Sequence, residues 1–199
     1  MKTSFPLIAG ILGLASQVSG RVCFAPEPPH RICYSEPGGT PQNISLPEIT
    51  YIAGYLRFYG RQPGNPQFYT MPLPVCVPSL PFTKQLPICA ASDSDYFIQE
   101  ADMCAEWQAT TKGTTWLMAK LVGDDAASVT FDDIADTIDG GANATPAQRA
   151  AALYGCNTAG GQIGVKVNTA DVRYQQPQFT NGTFTNKGIV LKLVRNPGS

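Results

Sequence analysis

The chain has 199 residues, a formal net charge of −1, and charged side chains at only 15% of its positions. Soluble domains carry roughly a quarter. No basic block occurs anywhere, which excludes nucleic acid and anionic membrane surfaces as expected partners.

The first twenty residues read as a secretory signal peptide. Lys2 is their only charge, residues 5–14 form an apolar run, and Val18-Ser19-Gly20 offers small residues at a cleavage site. The run is too short to cross a bilayer, and no other stretch reaches that length, so stable membrane insertion is not expected. The alternative, an N-terminal core helix, has Pro6, Gly10 and Gly13 against it. Cleavage removes Lys2 and leaves 13 basic against 15 acidic residues, a net charge of −2.

All six cysteines, Cys23, Cys33, Cys76, Cys89, Cys104 and Cys156, follow the signal. An even count behind a signal peptide points to three disulfides and an oxidising, extracellular setting. Nearest-neighbour pairing, Cys23–Cys33, Cys76–Cys89 and Cys104–Cys156, is the preferred one of the fifteen pairings open. Loop closure would then contribute roughly 3 kcal/mol for each short loop and roughly 4 for the long one. Zinc is the rival use of these thiols, but there is no CxxC pair and His30 is the only histidine. No cofactor is expected. Three Asn-X-Ser/Thr sequons begin at Asn43, Asn143 and Asn181, each a candidate glycosylation site on a surface loop. Asn143 is the least secure, because Pro146 follows it and Thr145 is wanted as a helix cap.

Residues 21–92 form a Pro- and Cys-rich arm, with thirteen of the seventeen prolines between Pro26 and Pro87. Proline withholds a backbone donor, so long regular elements are not expected there. Residues 49–59, rich in β-branched and aromatic side chains, carry the one strand signal. Pro37-Gly38-Gly39 and Gln62-Pro63-Gly64 read as turns. Tyr51, Tyr55, Tyr59, Phe68 and Tyr69 read either as packing residues or as an exposed platform for stacking on sugar rings. The four-residue spacing of the first three suits one face of a strand or of a helix.

Residues 93–199 read as the folded centre. Residues 94–110 predict an amphipathic helix with Asp93 or Ser94 as cap. Asp95, Gln99, Asp102 and Glu106 form its polar face, and Phe97, Ile98, Ala101, Cys104, Ala105 and Trp107 its apolar one. Glu100 breaks that pattern as a rim residue. Gly113 ends the helix, and residues 114–122 read as a strand with Leu117, Ala119 and Leu121 inward and Trp107 and Trp116 packing beside the turn. A short helix follows over 129–139, capped by Thr130 with Asp133 answering in a capping box. Phe131, Ile134, Ala135 and Ile138 form its buried face, and Gly140-Gly141 stops it. Asp132, Asp133, Asp136 and Asp139 read as its solvated outer face. Neither a calcium site nor a general acid/base pair is expected there, because the spacing is not that of an EF-hand and nothing in the sequence buries a carboxylate. Thr145-Pro146-Ala147-Gln148 opens another helix, closed by Gly155 before Cys156. Residues 161–168 and 189–194 read as strands, with 174–187 a polar loop between them.

Catalytic machinery is sparse. A Ser-His-Asp or Cys-His arrangement would have to use His30, and no nucleophile elbow, phosphate loop or dinucleotide fingerprint occurs. Only carboxylate chemistry stays open, and a non-enzyme is the preferred reading.

Asp102-Met103-Cys104 in a helix, a Trp-bearing strand from Gly113 to Trp116, Tyr154-Gly155-Cys156 before a strand, and Val167-Asn168 followed by Asp171-Val172 together resemble fungal secreted necrosis-inducing effector proteins over residues 93–172. The resemblance implies a non-catalytic protein acting outside the cell on a host or on competing microbes.

The expected fold is therefore α+β: a small, mostly antiparallel sheet with two or three helices, disulfide-stabilised, behind a Pro-rich, loop-dominated arm. After the signal at 1–20, residues 21–199 form one composite secreted domain. Three functions are carried forward. The first is an effector or toxin-like protein that binds an extracellular protein target. The others are a carbohydrate or cell-wall-binding protein, for which polysaccharide is the partner, and a carboxylate-dependent glycan hydrolase.

Overall fold

The computed structural model describes residues 27–73, 75–77, 88–90, 106–123 and 125–198, with 75–77 and 88–90 described by backbone alone. The signal segment, Cys23, Cys104, Glu100 and residues 94–105 of the expected helix lie outside them.

The fold is α+β, as expected. A five-stranded, wholly antiparallel sheet runs in the order β1 (Ile32–Cys33), β8 (Gly161–Gly164), β9 (Ile189–Arg195), β6 (Thr115–Leu121), β5 (Glu106–Lys112). Two antiparallel ribbons accompany it: β2 (Phe68–Met71) with β7 (Ala127–Thr130), and β3 (Val75–Val77) with β4 (Ile88–Ala90). The helices are α1 (Leu46–Arg61), α2 (Phe131–Asp139), α3 (Pro146–Ala151) and α4 (Pro177–Thr180), with 3-10 segments at Leu153–Ala159 and Val172–Gln175.

The central strands follow the period-2 rule. In β6, Thr115, Leu117, Ala119 and Leu121 are buried and the residues between them are half-buried. Across the ladder Leu117 faces Leu193, Ala119 faces Leu191 and Leu121 faces Ile189, so one sheet face is continuously apolar. Onto it pack Ile49, Ile52, Ala53 and Leu56 of α1, Ile134, Ala135 and Ile138 of α2, and Leu153.

Helix α1 overturns the expected strand at 49–59. Its buried residues, Ile49, Ile52, Ala53, Leu56, Arg57 and Gly60, recur at the 3.6-residue period rather than alternating. Pro47 sits in the first turn, where a missing N–H costs nothing, so it starts the helix rather than breaking it. Among the described residues of the arm, α1 supplies part of the core.

A second correction falls on residues 106–110, expected as the end of a helix. They form β5, paired with β6 through a hairpin whose Gly113 adopts φ +51. Trp107 packs against the core's margin from β5, while Trp116 lies by alternation on the sheet face opposite Leu117.

Helix α2 begins two residues later than expected, because Ala127–Thr130 is a strand that runs straight into it. Thr130 caps it through Asp133 N, and Gly140 closes it in the left-handed conformation. Thr145 and Gln148 complete the capping box of α3. Beyond Ala151 the chain tightens into 3-10 winding instead of continuing as α-helix. Strand β8 stops at Gly164, short of the expected 168. The amides of Lys166 and Asn168 turn instead to Thr137 Oγ1 (2.8 Å) and Asp133 Oδ1 (3.1 Å) of α2. The expected loop at 174–187 contains α4, and Tyr174 is buried.

The disulfide pairing is also corrected. Cys33 of β1 bonds Cys156 of the 3-10 segment, across 123 residues, so neither Cys23–Cys33 nor Cys104–Cys156 forms. Cys76 and Cys89 face each other in the β3–β4 register, the arrangement their expected pairing requires. Among the described residues, no helix is long and apolar enough to cross a membrane.

Candidate functional site

The aspartates of α2 are the carboxylates on which acid/base chemistry would rest. They do not form a solvated acidic face. Asp133 and Asp139 are buried. Arg57 of α1 reaches across the helix interface, donating from Nη1 to Asp139 Oδ2 (2.7 Å) and from Nη2 to Asp139 Oδ1, and from Nε and Nη2 to Asp136 Oδ1. Arg61 and Arg173 both bond Asp132, and Arg173 also grips Asp171. Hydrogen bonding to Asp139 is the main reason that the Arg57 guanidinium is held in its charged form. The Arg173 side chain holds the Asp171 carboxyl below its ordinary range.

Asp133 is spent differently. Its Oδ2 accepts from Tyr174 Oη (2.5 Å) and its Oδ1 from Asn168 N, so its side chain does not return to the Thr130 amide. That amide donates to Tyr174 Oη instead (2.9 Å). The capping box expected at α2 is thus half made. Burial, and then the Asp133 bond, push the Tyr174 phenol upward. No buried side-chain polar atom among the described residues lacks a partner. These bonds tie α1, α2 and the Val172–Gln175 segment together. No group of three or more His, Cys, Asp or Glu among the described residues gathers to hold a metal ion. His30 is exposed.

The aromatic residues divide into three settings. Tyr59 and Tyr69 both pack edge-on against Phe131, at 5.1 and 6.3 Å between ring centroids, and burial pushes the Tyr69 phenol up to about 12. Phe68 belongs to a separate trio with Tyr174 and Phe179. Only Tyr51 and Tyr55 of the expected platform are exposed, 51% and 42%, with rings 6.3 Å apart and inclined by 6°. Phe58, 63% exposed and seven residues after Tyr51, extends them into a stripe that the strand reading of this segment hid. Tyr51, Gly54, Tyr55 and Phe58 follow the i, i+3, i+4, i+7 rule of one helix face.

Gly54 at the centre of that stripe has no packing reason to be glycine. Among the described residues a Cβ there would meet nothing within 4 Å, whereas one at Gly60 would come within 2.7 Å of Phe131 Cβ. Glycine inside a helix costs roughly 0.5–1 kcal/mol relative to alanine. Gly60 offsets that cost by allowing a close α1–α2 crossing, and no described residue gives Gly54 such a compensation. The stripe is bounded by Lys112, whose Nζ lies 4.4 Å from the Tyr51 ring centroid, and by Arg61, bonded to Asp132.

All three sequon asparagines, Asn43, Asn143 and Asn181, are exposed. Thr145 of the second sequon is engaged in its capping box, and Thr183 of the third donates its hydroxyl to Asn181 Oδ1 at 2.8 Å. No family model, no curated protein and no solved structure matches the chain.

Proposed function

We propose that this is a secreted binding protein, acting outside the cell on the surface of a host or competitor, and that α1 carries its contact face. The observation that carries this reading is the exposed Tyr51–Gly54–Tyr55–Phe58 stripe on an element whose opposite side is committed to the core. Exposed aromatic residues grouped on one rigid face mark interaction surfaces. An effector or toxin-like role is the form of this activity that the resemblance over residues 93–172 implies. Hydrolysis by carboxylates is the less favoured alternative, because the aspartates of α2 are bound to arginines or to Tyr174.

The test is infiltration of purified protein into plant leaf tissue, beside a Tyr51→Ala/Tyr55→Ala/Phe58→Ala variant of unchanged circular dichroism. Cell death from the native protein and not from the variant supports the reading. An equal response from both removes α1 as the contact face.

A further inference from the structure

We infer that Asn181 carries an N-linked glycan, attached through its side-chain nitrogen, and that Asn143 is passed over. The inference rests on the reading of the chain as secreted and adds a covalent modification site to it.

At Asn181 the sequon is set out for attachment. Asn181, Gly182 and Thr183 are all exposed. The side-chain oxygen of Asn181 accepts from Thr183 N at 3.1 Å and from Thr183 Oγ1 at 2.8 Å, so that half of the amide is occupied twice. The nitrogen half, Nδ2, meets no acceptor among the described residues. It is the atom through which a glycan is joined, and the hydroxyl the sequon requires already lies against the same amide.

The turn that holds this arrangement is closed by bonds inside the segment from Pro177 to Phe184. Asn181 N donates to Pro177 O, Gly182 N to Phe179 O and Phe184 N to Gln178 O. Gly182 takes φ +78, which glycine adopts without steric cost. Contacts this local need no distant part of the chain, so the turn can form on a chain that has not yet folded.

Asn143 meets the opposite local chemistry. The hydroxyl of its sequon, Thr145 Oγ1, accepts from Gln148 N and bonds Gln148 Oε1 at 3.0 Å as the cap of α3. Pro146 follows at once and fixes the backbone of the first turn. One hydroxyl cannot close that cap and serve a transferase together. Asn43 differs from both. Its φ of +54 accompanies bonds from Gln42 N to Ala159 O and from Ile44 N to Thr158 O, contacts that exist only once the fold has closed. Local structure therefore makes no choice at Asn43, and the inference does not include it.

The step is a group transfer. The anomeric carbon of an oligosaccharide leaves its polyprenyl diphosphate carrier, the Asn181 Nδ2–carbon bond forms, and one amide proton passes to a base of the transferase.

The experiment is expression of the full chain in yeast and recovery of the protein from the medium. Peptide mapping follows release of glycans by an amidase that converts each glycosylated asparagine to aspartate. Two variants accompany the native protein, Thr183→Ala and Pro146→Ala/Gln148→Ala, each checked by thermal unfolding. The expected result is conversion at Asn181 and none at Asn143 in the native protein. Thr183→Ala should lose the conversion at Asn181, and Pro146→Ala/Gln148→Ala should gain one at Asn143.

Unconverted Asn181 in native protein recovered from the medium overturns the inference and leaves secretion standing. Equal conversion at Asn181 and Asn143 overturns the choice between them. Unconverted Asn143 in Pro146→Ala/Gln148→Ala overturns the cap as the reason for that choice. Native protein kept inside the cells with residues 1–20 still attached overturns the secreted reading itself.

Discussion

Glu48 shows how one side chain can fix the relation of two elements. It lies in the first turn of α1, and its Oε2 accepts from Thr114 N (3.1 Å), Thr114 Oγ1 (2.9 Å) and Thr115 Oγ1 (2.8 Å), so it closes the β5–β6 hairpin onto the helix. Burial alone would raise its carboxyl, but the Thr115 and Thr114 hydroxyls and the Thr114 amide outweigh it and hold the group below its ordinary 4.5. A carboxyl depressed by folding stabilises the fold above its unfolded value and loses that contribution as the pH falls below it. Asp171, depressed by Arg173, acts in the same direction, while Glu27, raised by burial, acts oppositely. Thermal unfolding from pH 6 down to about pH 3 should therefore show a smaller drop for Glu48→Gln than for the native protein. At neutral pH that variant should be less stable by about 2 kcal/mol. An identical pH dependence in the two proteins would contradict this role. The two glycines of α1 give a second contrast at this scale. Gly54→Ala should stabilise by up to about 1 kcal/mol. Gly60→Ala should destabilise by about 1–3 kcal/mol through its clash with Phe131. Denaturant midpoints read both.

At the scale of elements, α1 is decisive. Its type was legible in the sequence, but through a different signal from the β-branched and aromatic composition that suggested a strand. Ile49, Ile52, Ala53, Leu56 and Gly60 already spell the helical period, and Pro47 marks a first turn as readily as a break. The error hid the exposed aromatic stripe as well, because Phe58 joins Tyr51 and Tyr55 only on a helix. The reverse error at 106–110 has a different origin: Glu106 and Trp107 suit a helical pattern continued from 94–105, and only the hairpin with β6 makes them a strand. The charge pairs across α1 and α2 could not be read at all, since Arg57 and Asp139 lie 82 positions apart. Both members of that pair are buried, so Arg57→Ala leaves a carboxylate without its partner and should cost about 3–5 kcal/mol. Replacing Arg57 and Asp139 together with apolar residues should recover much of that loss, as chemical denaturation would show. A double variant no more stable than Arg57→Ala would contradict the pairing.

For the whole molecule, β6 was legible because its burial alternates along the strand, and β9 because its run of aliphatic, β-branched residues suits one. So were the N-caps of α2 and α3, Thr130 and Thr145, because they act through local chemistry. The topology that puts β9 between β6 and β8 was not, and with it went the cysteine pairing. Nearest neighbours in sequence are the natural guess until the sheet brings β1 against β8 and sets Cys33 beside Cys156. Non-reducing peptide mapping is expected to recover a Cys33–Cys156 linked peptide, and Cys33→Ser/Cys156→Ser should lose about 2–5 kcal/mol of stability. Recovery of a Cys23–Cys33 peptide would contradict the fold at β1.

The central proposal is that the exposed face of α1, and not the aspartates of α2, performs the function. Depletion of protein from solution by intact plant, fungal and bacterial cells tests it most directly. The native protein would be compared with Tyr51→Ala/Tyr55→Ala/Phe58→Ala and with Asp136→Asn, the half-exposed member of the aspartate set. The account predicts that the aromatic variant stays in solution while Asp136→Asn binds as the native protein does. Native-like binding by the aromatic variant, with binding lost in a folded Asp136→Asn protein, would contradict it.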